Sequence, residues 1–228
     1  MLKLFYHNTP NPTKVALLLE ELAHPYEVVA TDIWDGAQHT PEFRRINPNG
    51  KVPAIIEGDV VIFDSTAILL WLADRAEQFN GDDRSRPQML SWLMFVASGL
   101  GPFCGQAFHF LNIHTDSAYA TNRYARELER HFSVLDKHLT LTPWLAGSDY
   151  TIADMAAWGW VDFAVRNGLV YGEDGGHRWP ALTRWCATIN ARPAADRARH
   201  AGDHLSVKQA FDEDTMRALF PQNYAEAL

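Results

Sequence analysis

The chain has 228 residues, 47% of them hydrophobic and 21% charged, with a formal net charge of −8. That length can bury the core of one large domain or two small ones, and the acidic balance argues against a nucleic-acid partner. No secretory signal opens the chain and no apolar run approaches the ~18 residues of a membrane span, so a cytoplasmic protein without a membrane partner is expected. The two cysteines, Cys104 and Cys186, form no CxxC pair, and the histidines have no metal-ligand spacing. Neither a structural disulfide nor a metal site is expected.

In chain order, residues 2–6 read as a strand, and Val15, Leu18, Leu19 and Leu22 form the i, i+3, i+4, i+7 face of a helix. "PYEVVAT" returns to strand character, "PEFRRIN" offers a short helix, and "KVPAII" and "DVVIF" are two further strands joined by an "EGD" turn. "STAILLWLADRA" closes the series as a helix. The order β-α-β-α-β-β-α, with an antiparallel hairpin near its end, predicts an α+β unit with a mixed four-stranded sheet of the thioredoxin type over residues 1–79. "EQFNGDDRSRPQ" reads as a linker, and from 87 to 200 helical periodicity prevails, with helices expected near 87–110, 117–140, 151–168 and 180–192. "SGLGP" at 98–102 is expected to kink the first of these. Residues 201–228 read as a tail of mixed composition that the pattern does not place.

Three short stretches could carry chemistry. In "TPNPTKV", Asn11 as N-cap would put Pro12 at the first helical position, where a missing N–H costs least. Such a helix start favours an anion, a thiolate included. Thr9 and Asn11 either only cap the helix or also hold that anion. In "NGKVPAI", the Val52–Pro53 step is either an ordinary edge-strand proline or a cis bond that turns the Val52 backbone outward to pair with an extended peptide. In "FDSTAI", Ser65 is a natural N-cap, and Asp64 could take a ligand ammonium. A fourth stretch, "YTIADMAAW", holds a capping box of Thr151 and Asp154 with a staple of Tyr150 and Met155, and is assigned to folding. Together the first three describe a receptor for a small acidic peptide whose own thiol fills the helix start.

These residues carry a resemblance. "TPN" at 9–11, "GAQHTPEF" at 36–43, "INPNGKVPAI" at 46–55, "FDSTAILLWLA" at 63–73, "GLGPFCGQAFHF" at 99–110 and "PWLAGSDYTIADMAAW" at 143–158 resemble the cytosolic glutathione transferases. The similarity is greatest to the nu class of bacteria and its relatives around the yeast nitrogen-regulatory prion protein. The resemblance implies a thioredoxin-like glutathione-binding domain followed by an all-α domain. It implies that Thr9 and Asn11 hold the glutathione sulfur, Gln38 reaches the glycine end and Lys51 makes a glycyl or backbone contact. Val52 would pair with the cysteinyl backbone beside cis Pro53, and Asp64 and Ser65 would bind the γ-glutamyl group. Arg123 would reach across a homodimer interface to the neighbour's ligand. Asp64 is shorter than the glutamate these relatives carry, and Pro12 stands where they often have glycine.

The resemblance further implies glutathione-dependent disulfide reduction, with reduced or oxidised glutathione bound, as many as two per site, and with neither metal nor nucleotide. Glutathione and a small disulfide or electrophile are the implied partners. Conjugation of small electrophiles or cleavage of aryl ethers is one alternative, and a non-catalytic glutathione-binding regulator is another. Phe103, Phe108, His109 and Phe110 either shape an electrophile pocket or belong to the core. Cys104, beside the expected kink, is either a resolving thiol there or an apolar filler.

Overall fold

A computed structural model of the chain describes residues 1–114, 116–169 and 178–224. Thr115 and residues 170–177 of the expected helical domain, and residues 225–228 of the expected tail, lie outside the described residues. By its contacts the chain divides into two compact units, residues 1–68 with the chain from Arg197 onward, and residues 69–196.

The first unit is built on β1 (Leu2–Tyr6), α1 (Pro10–Glu21), β2 (Tyr26–Ala30), α2 (Pro41–Ile46), β3 (Ala54–Glu57) and β4 (Val60–Phe63), followed by the start of α3 (Ser65–Ala76). The sheet order is β2-β1-β3-β4. Strand β2 runs parallel to β1, while β3 is antiparallel to both β1 and β4. This is the mixed four-stranded sheet that the element order predicts. Alternation along β1 buries Leu2, Leu4 and Tyr6, and Val15, Leu18 and Leu19 of α1 are likewise fully buried. Each such side chain contributes roughly 1.5–3 kcal/mol by leaving water. A hydrogen bond between the Tyr6 and Thr13 hydroxyls (3.2 Å) ties the start of α1 to β1.

The starts of α1 and α3 both differ from the expected register. Thr9, extended at φ −138° and ψ 160°, is the N-cap of α1, and Pro10 takes the first helical position. Asn11 and Pro12 therefore lie inside the helix. Each proline pushes the residue before it toward extended backbone, so the two prolines compete for the cap. The Thr13 N–H to Thr9 carbonyl bond (3.2 Å) closes the first turn at Thr9 and decides the register. At α3, Asp64 is the cap instead of Ser65: its Oδ1 accepts the N–H groups of Thr66 (2.8 Å) and Ala67 (3.2 Å). A carboxylate at the cap adds charge to the hydrogen bonds and complements the helix dipole. Strand β3 begins only at Ala54, so Lys51, Val52 and Pro53 lie before it and not in it.

The segment after α9 (Pro193–His200) returns to this same unit. Gly202 packs so closely on Tyr6 that a Cβ would stand 2.5 Å from the ring. Lys208 N–H donates to Asp32, and Phe211 meets the Trp34 ring edge-on at 5.5 Å. The chain then forms α10 (Glu213–Leu219), capped by Asp212.

The second unit is helical. Helix α4 (Arg86–Phe95) continues through a π-helical turn, Val96–Leu100, into α5 (Gly101–Phe108) and a second π turn, His109–Ile113. The expected kink at "SGLGP" thus takes the form of a widened turn. Gly99 is required there, since a Cβ would stand 2.5 Å from His131 Nε2. Helices α6 (Ala118–Leu139), α7 (Ile152–Arg166) and α8 (Pro180–Asn190) complete the unit. At the start of α7, Asp154 is fully buried, and its carboxylate accepts from Leu145 N–H, Trp185 Nε1, Thr151 N–H and Thr151 Oγ1. Tyr150 meets Phe79 edge-on and packs at a tilt against Trp144.

Candidate functional site

The sheet topology gathers the singled-out residues of the first unit at one edge. Phe5 lies opposite Ala54, and Ala54 opposite Phe63. The C-terminal ends of β1 and β4 and the N-terminal end of β3 therefore point the same way. The Thr9–Asn11 turn leaves β1 there, Val52 and Pro53 enter β3 there, and Asp64 and Ser65 leave β4 there. Ligand sites at the carboxyl ends of strands are the common outcome of such layouts.

At the α1 start, prolines stand at the first and third helical positions, so Asn11 supplies the single free amide N–H of that turn. Thr9 Oγ1 donates only a long bond to His7 O (3.4 Å). The Asn11 amide, side chain and backbone, and the Thr9 hydroxyl are the groups an anion can use here. Neither cysteine of the chain belongs to this unit. This unit therefore supplies no thiolate of its own to the turn.

The Val52–Pro53 bond is cis. Among the described residues the Val52 N–H and C=O take no hydrogen-bond partner, which leaves this backbone able to pair with an extended peptide. The loop before it is held by Asn47, whose side chain donates to the Lys51 carbonyl (2.5 Å) and accepts from Asn49 N–H (3.0 Å). Gly50, at φ 63°, lies with its backbone against the Gln38 carbonyl. Asn47 was no sequence candidate, although an Asn–Pro step in a turn is a signal for such anchoring.

Asp64 has φ 71°, in the left-handed region that a residue with a side chain seldom takes. Strain of this kind gathers at ligand sites. Its Oδ1 is used by the helix cap, and its Oδ2 has no partner among the described residues. Ser65, nearly buried, follows at the first position of α3. A free carboxylate oxygen beside an N-terminal hydroxyl suits a zwitterion: ammonium on the first, carboxylate on the second.

Gln38 is 3% exposed. Its Nε2 donates to the carbonyls of Ile33 (3.2 Å) and Ala218 (3.0 Å), and His39 Nε2 donates to the same Ala218 carbonyl (2.8 Å). The C-terminal segment thus occupies the amide expected to reach a ligand's glycine end. Lys51 is exposed. Two basic residues near this edge escaped the sequence reading. Burial holds His7 below its ordinary pKa. Lys14 is 2% exposed, with its pKa pushed down to about 8 by burial, against the opposing field of Asp64. Its signal was a lysine flanked by the apolar face of α1.

The remaining candidates belong to the helical unit. Arg123 is on α6, half-exposed, and pairs with Glu127 at 2.9 Å. Phe103 contacts His131 (5.2 Å), Phe108 contacts Phe163 (5.1 Å), and Phe110 stacks on Tyr124 (5.2 Å) with His109 against it. All four are half-buried. Cys104 is fully buried, its thiol near the Trp160 carbonyl, and burial raises its pKa far above the ordinary range. That favours the filler reading over the resolving thiol, since exchange needs an accessible thiolate. Cys104→Ala is expected to lower stability by about 1–2 kcal/mol while leaving turnover within about twofold of wild type. Steady-state rates and thermal melting of the purified variant check both.

Two helix starts and an extended backbone without partners among the described residues, gathered at one edge of a thioredoxin-like sheet, have the layout of a ligand site. Residues 1–74 match the glutathione S-transferase N-terminal domain, and residues 100–193 match the corresponding C-terminal domain. The chain belongs to the glutathione S-transferase family. It is 38% identical over 207 residues to the disulfide-bond oxidoreductase YfcG of Escherichia coli, covering 87% of this chain and 94% of that one. A glutathione transferase family member from Pseudomonas fluorescens, solved with two glutathiones bound, superposes with a TM-score of 0.81 at 35% identity, over 87% of this chain and 92% of that one. The transferase URE2P6 from Phanerochaete chrysosporium, in complex with oxidised glutathione, gives 0.83 at 31% identity, over 90% and 97%.

Proposed function

We propose that the protein is a glutathione-dependent disulfide-bond reductase of the nu-class type, a cytoplasmic homodimer in which bound glutathione supplies the thiolate. The observation that carries this reading is the α1 start, an anion-accepting turn without a protein cysteine. Support comes from the curated relatives named disulfide-bond oxidoreductases in Escherichia coli.

In this reading the glutathione sulfur lies at Thr9 and Asn11, and the helix start lowers the thiol's pKa from its ordinary ~8.5. Val52 pairs with the cysteinyl backbone beside Pro53. Asp64 receives the γ-glutamyl ammonium, and Ser65 with the α3 start receives its carboxylate. Lys51 serves the glycyl end, the Gln38 amide being engaged by the Ile33 and Ala218 carbonyls, and Arg123 reaches the neighbouring subunit's ligand. The thiolate attacks one sulfur of a small disulfide; the S–S bond breaks and the departing thiolate takes up a proton. A second glutathione thiolate, bound in the same site, then attacks the glutathionyl sulfur of the mixed disulfide. Two glutathiones leave as oxidised glutathione, and the substrate leaves as two thiols. The protein aligns the three sulfurs and lowers the pKa without itself changing oxidation state.

Reduction of 2-hydroxyethyl disulfide, coupled to glutathione reductase, tests the reading. Saturable turnover dependent on both glutathione and enzyme is expected. Tight glutathione binding without turnover would replace this reading by conjugation of electrophiles or by a binding role.

A further inference from the structure

The Gln38–His39 turn and the loop before Val52 pack on each other at Gly50. A Cβ there would stand 3.2 Å from the Gln38 carbonyl, 3.4 Å from His39 Nδ1 and 3.6 Å from Arg44 Cζ. The glycine thus lets the Arg44 guanidinium lie against the backbone that precedes Lys51. That guanidinium is held. Arg44 Nη2 donates to His39 Nδ1 (3.1 Å), and His39 Nε2 donates in turn to the Ala218 carbonyl (2.8 Å). One ring nitrogen accepts and the other donates, as a single imidazole tautomer allows. Both N–H groups of the Gln38 amide are spent, on Ile33 and Ala218. What remains of Gln38 is Oε1, a buried acceptor without a partner among the described residues, and an acceptor repels a carboxylate. Arg44, by contrast, is exposed, its side chain uses a single N–H on His39, and it has no carboxylate partner among the described residues. Lys51 is likewise exposed and without a carboxylate partner there. In a chain of net charge −8, two cations left unpaired beside one buried glycine suit an anion from outside.

We infer that Arg44 receives the glycyl carboxylate of glutathione, in the place that the Gln38 amide has ceded to the C-terminal segment, and that His39 is the positioning residue that aims it. The inference rests on the glutathione reading above, in which the peptide pairs with Val52 and its glycyl end lies at Lys51. Arginine suits the task, because its planar fork matches a carboxylate with paired hydrogen bonds, whereas Lys51 adds a point charge. His39 touches no ligand. It holds the guanidinium against Gly50, and its own ring is fixed by Ala218.

The test is calorimetric titration with S-methylglutathione, whose blocked sulfur removes thiol titration, and with its glycyl carboxamide, which keeps the length and removes the charge. Arg44→Met is expected to bind the acid about 10-fold more weakly, an ordinary loss for a hydrogen bond between charged groups. It is expected to bind the carboxamide within about threefold of wild type. Arg44→Lys should fall between, since a point charge replaces the fork. His39→Phe, which keeps a ring and removes both nitrogens, is expected to weaken the acid about threefold and spare the carboxamide. It should add nothing in the Arg44→Met background, because it acts through Arg44. Added salt should narrow the wild-type preference for the acid, as for any exposed pair. Arg44 lies at the surface, so its variants are expected to melt within about 2 °C of wild type.

A preference for the acid that survives Arg44→Met, or equal weakening of both ligands by that change, would overturn the inference. So would a His39→Phe loss that adds in full to that of Arg44→Met. Wild type that binds acid and carboxamide equally removes the inference alone and leaves the glutathione reading standing. Wild type that binds neither removes the reading itself, and the inference with it.

Discussion

Asn11→Ala is expected to lower glutathione-dependent disulfide turnover by about 100-fold, the loss typical when one of few donors to a reacting anion is deleted. The size follows from how little else the turn offers. An ordinary helix start presents amides at its first three positions, but here Pro10 and Pro12 remove two of them. The anion is left with the Asn11 backbone N–H, the Asn11 side chain and the Thr9 hydroxyl. Removing the carboxamide leaves one amide and one hydroxyl to hold a thiolate that water would otherwise protonate. The loss should fall mainly on kcat, because the proposed site binds the γ-glutamyl and cysteinyl ends of glutathione elsewhere on the sheet edge. Thiolate absorbance of the bound glutathione, followed against pH, should shift upward in parallel. A loss under about fivefold with an unmoved thiol titration would place the sulfur on Thr9 or on the lone amide. Thr9→Ala is the companion variant for that outcome.

Asp154→Ala should be the most damaging single change in the helical unit, at about 3–5 kcal/mol, as for breaking a buried charged network. The carboxylate accepts four donors, from Leu145, Trp185 and twice from Thr151. Each buried donor stranded by its removal costs about 1–3 kcal/mol, less whatever the structure recovers by relaxing. Burial raises the Asp154 carboxyl to about 6 against the opposing effect of these donors, so at neutral pH the anion is the form that is lost. At about 2–4 °C per kcal/mol for a chain of this size, the melting temperature should drop by roughly 10 °C. Asp154→Asn, which keeps one accepting oxygen, should fall between the alanine variant and wild type. Alanine and wild-type proteins melting within about 2 °C of each other would show that the network contributes little.

The elements of the first unit were legible because their signals are local. Alternation along Leu2, Leu4 and Tyr6, the helical face of Val15, Leu18 and Leu19, and the glycine of the hairpin at Gly58 each act within a few residues. The same holds for Thr151 and Asp154, three residues apart. Once the strands are ordered, Thr9, Val52 and Asp64 must meet at one edge, so most of the candidate site follows from topology. Register at the helix starts was less legible. Two prolines compete for the first turn of α1, and both Asp64 and Ser65 are cap-forming residues, so the choice rests on hydrogen bonds that composition does not rank.

By itself, then, the sequence determined the order of strands and helices, the buried faces, the capping box and the absence of a cysteine from the turn that opens α1. Only the tertiary structure decided that the Ala218 carbonyl takes the Gln38 amide, that the Lys14 side chain is buried, and that Asp64 caps α3 from a left-handed backbone. The physical reason is range. Periodicity and capping are settled by neighbours along the chain, whereas the Gln38 contact joins residues 180 positions apart. The cost of a buried charge, likewise, exists only once other elements have closed over it.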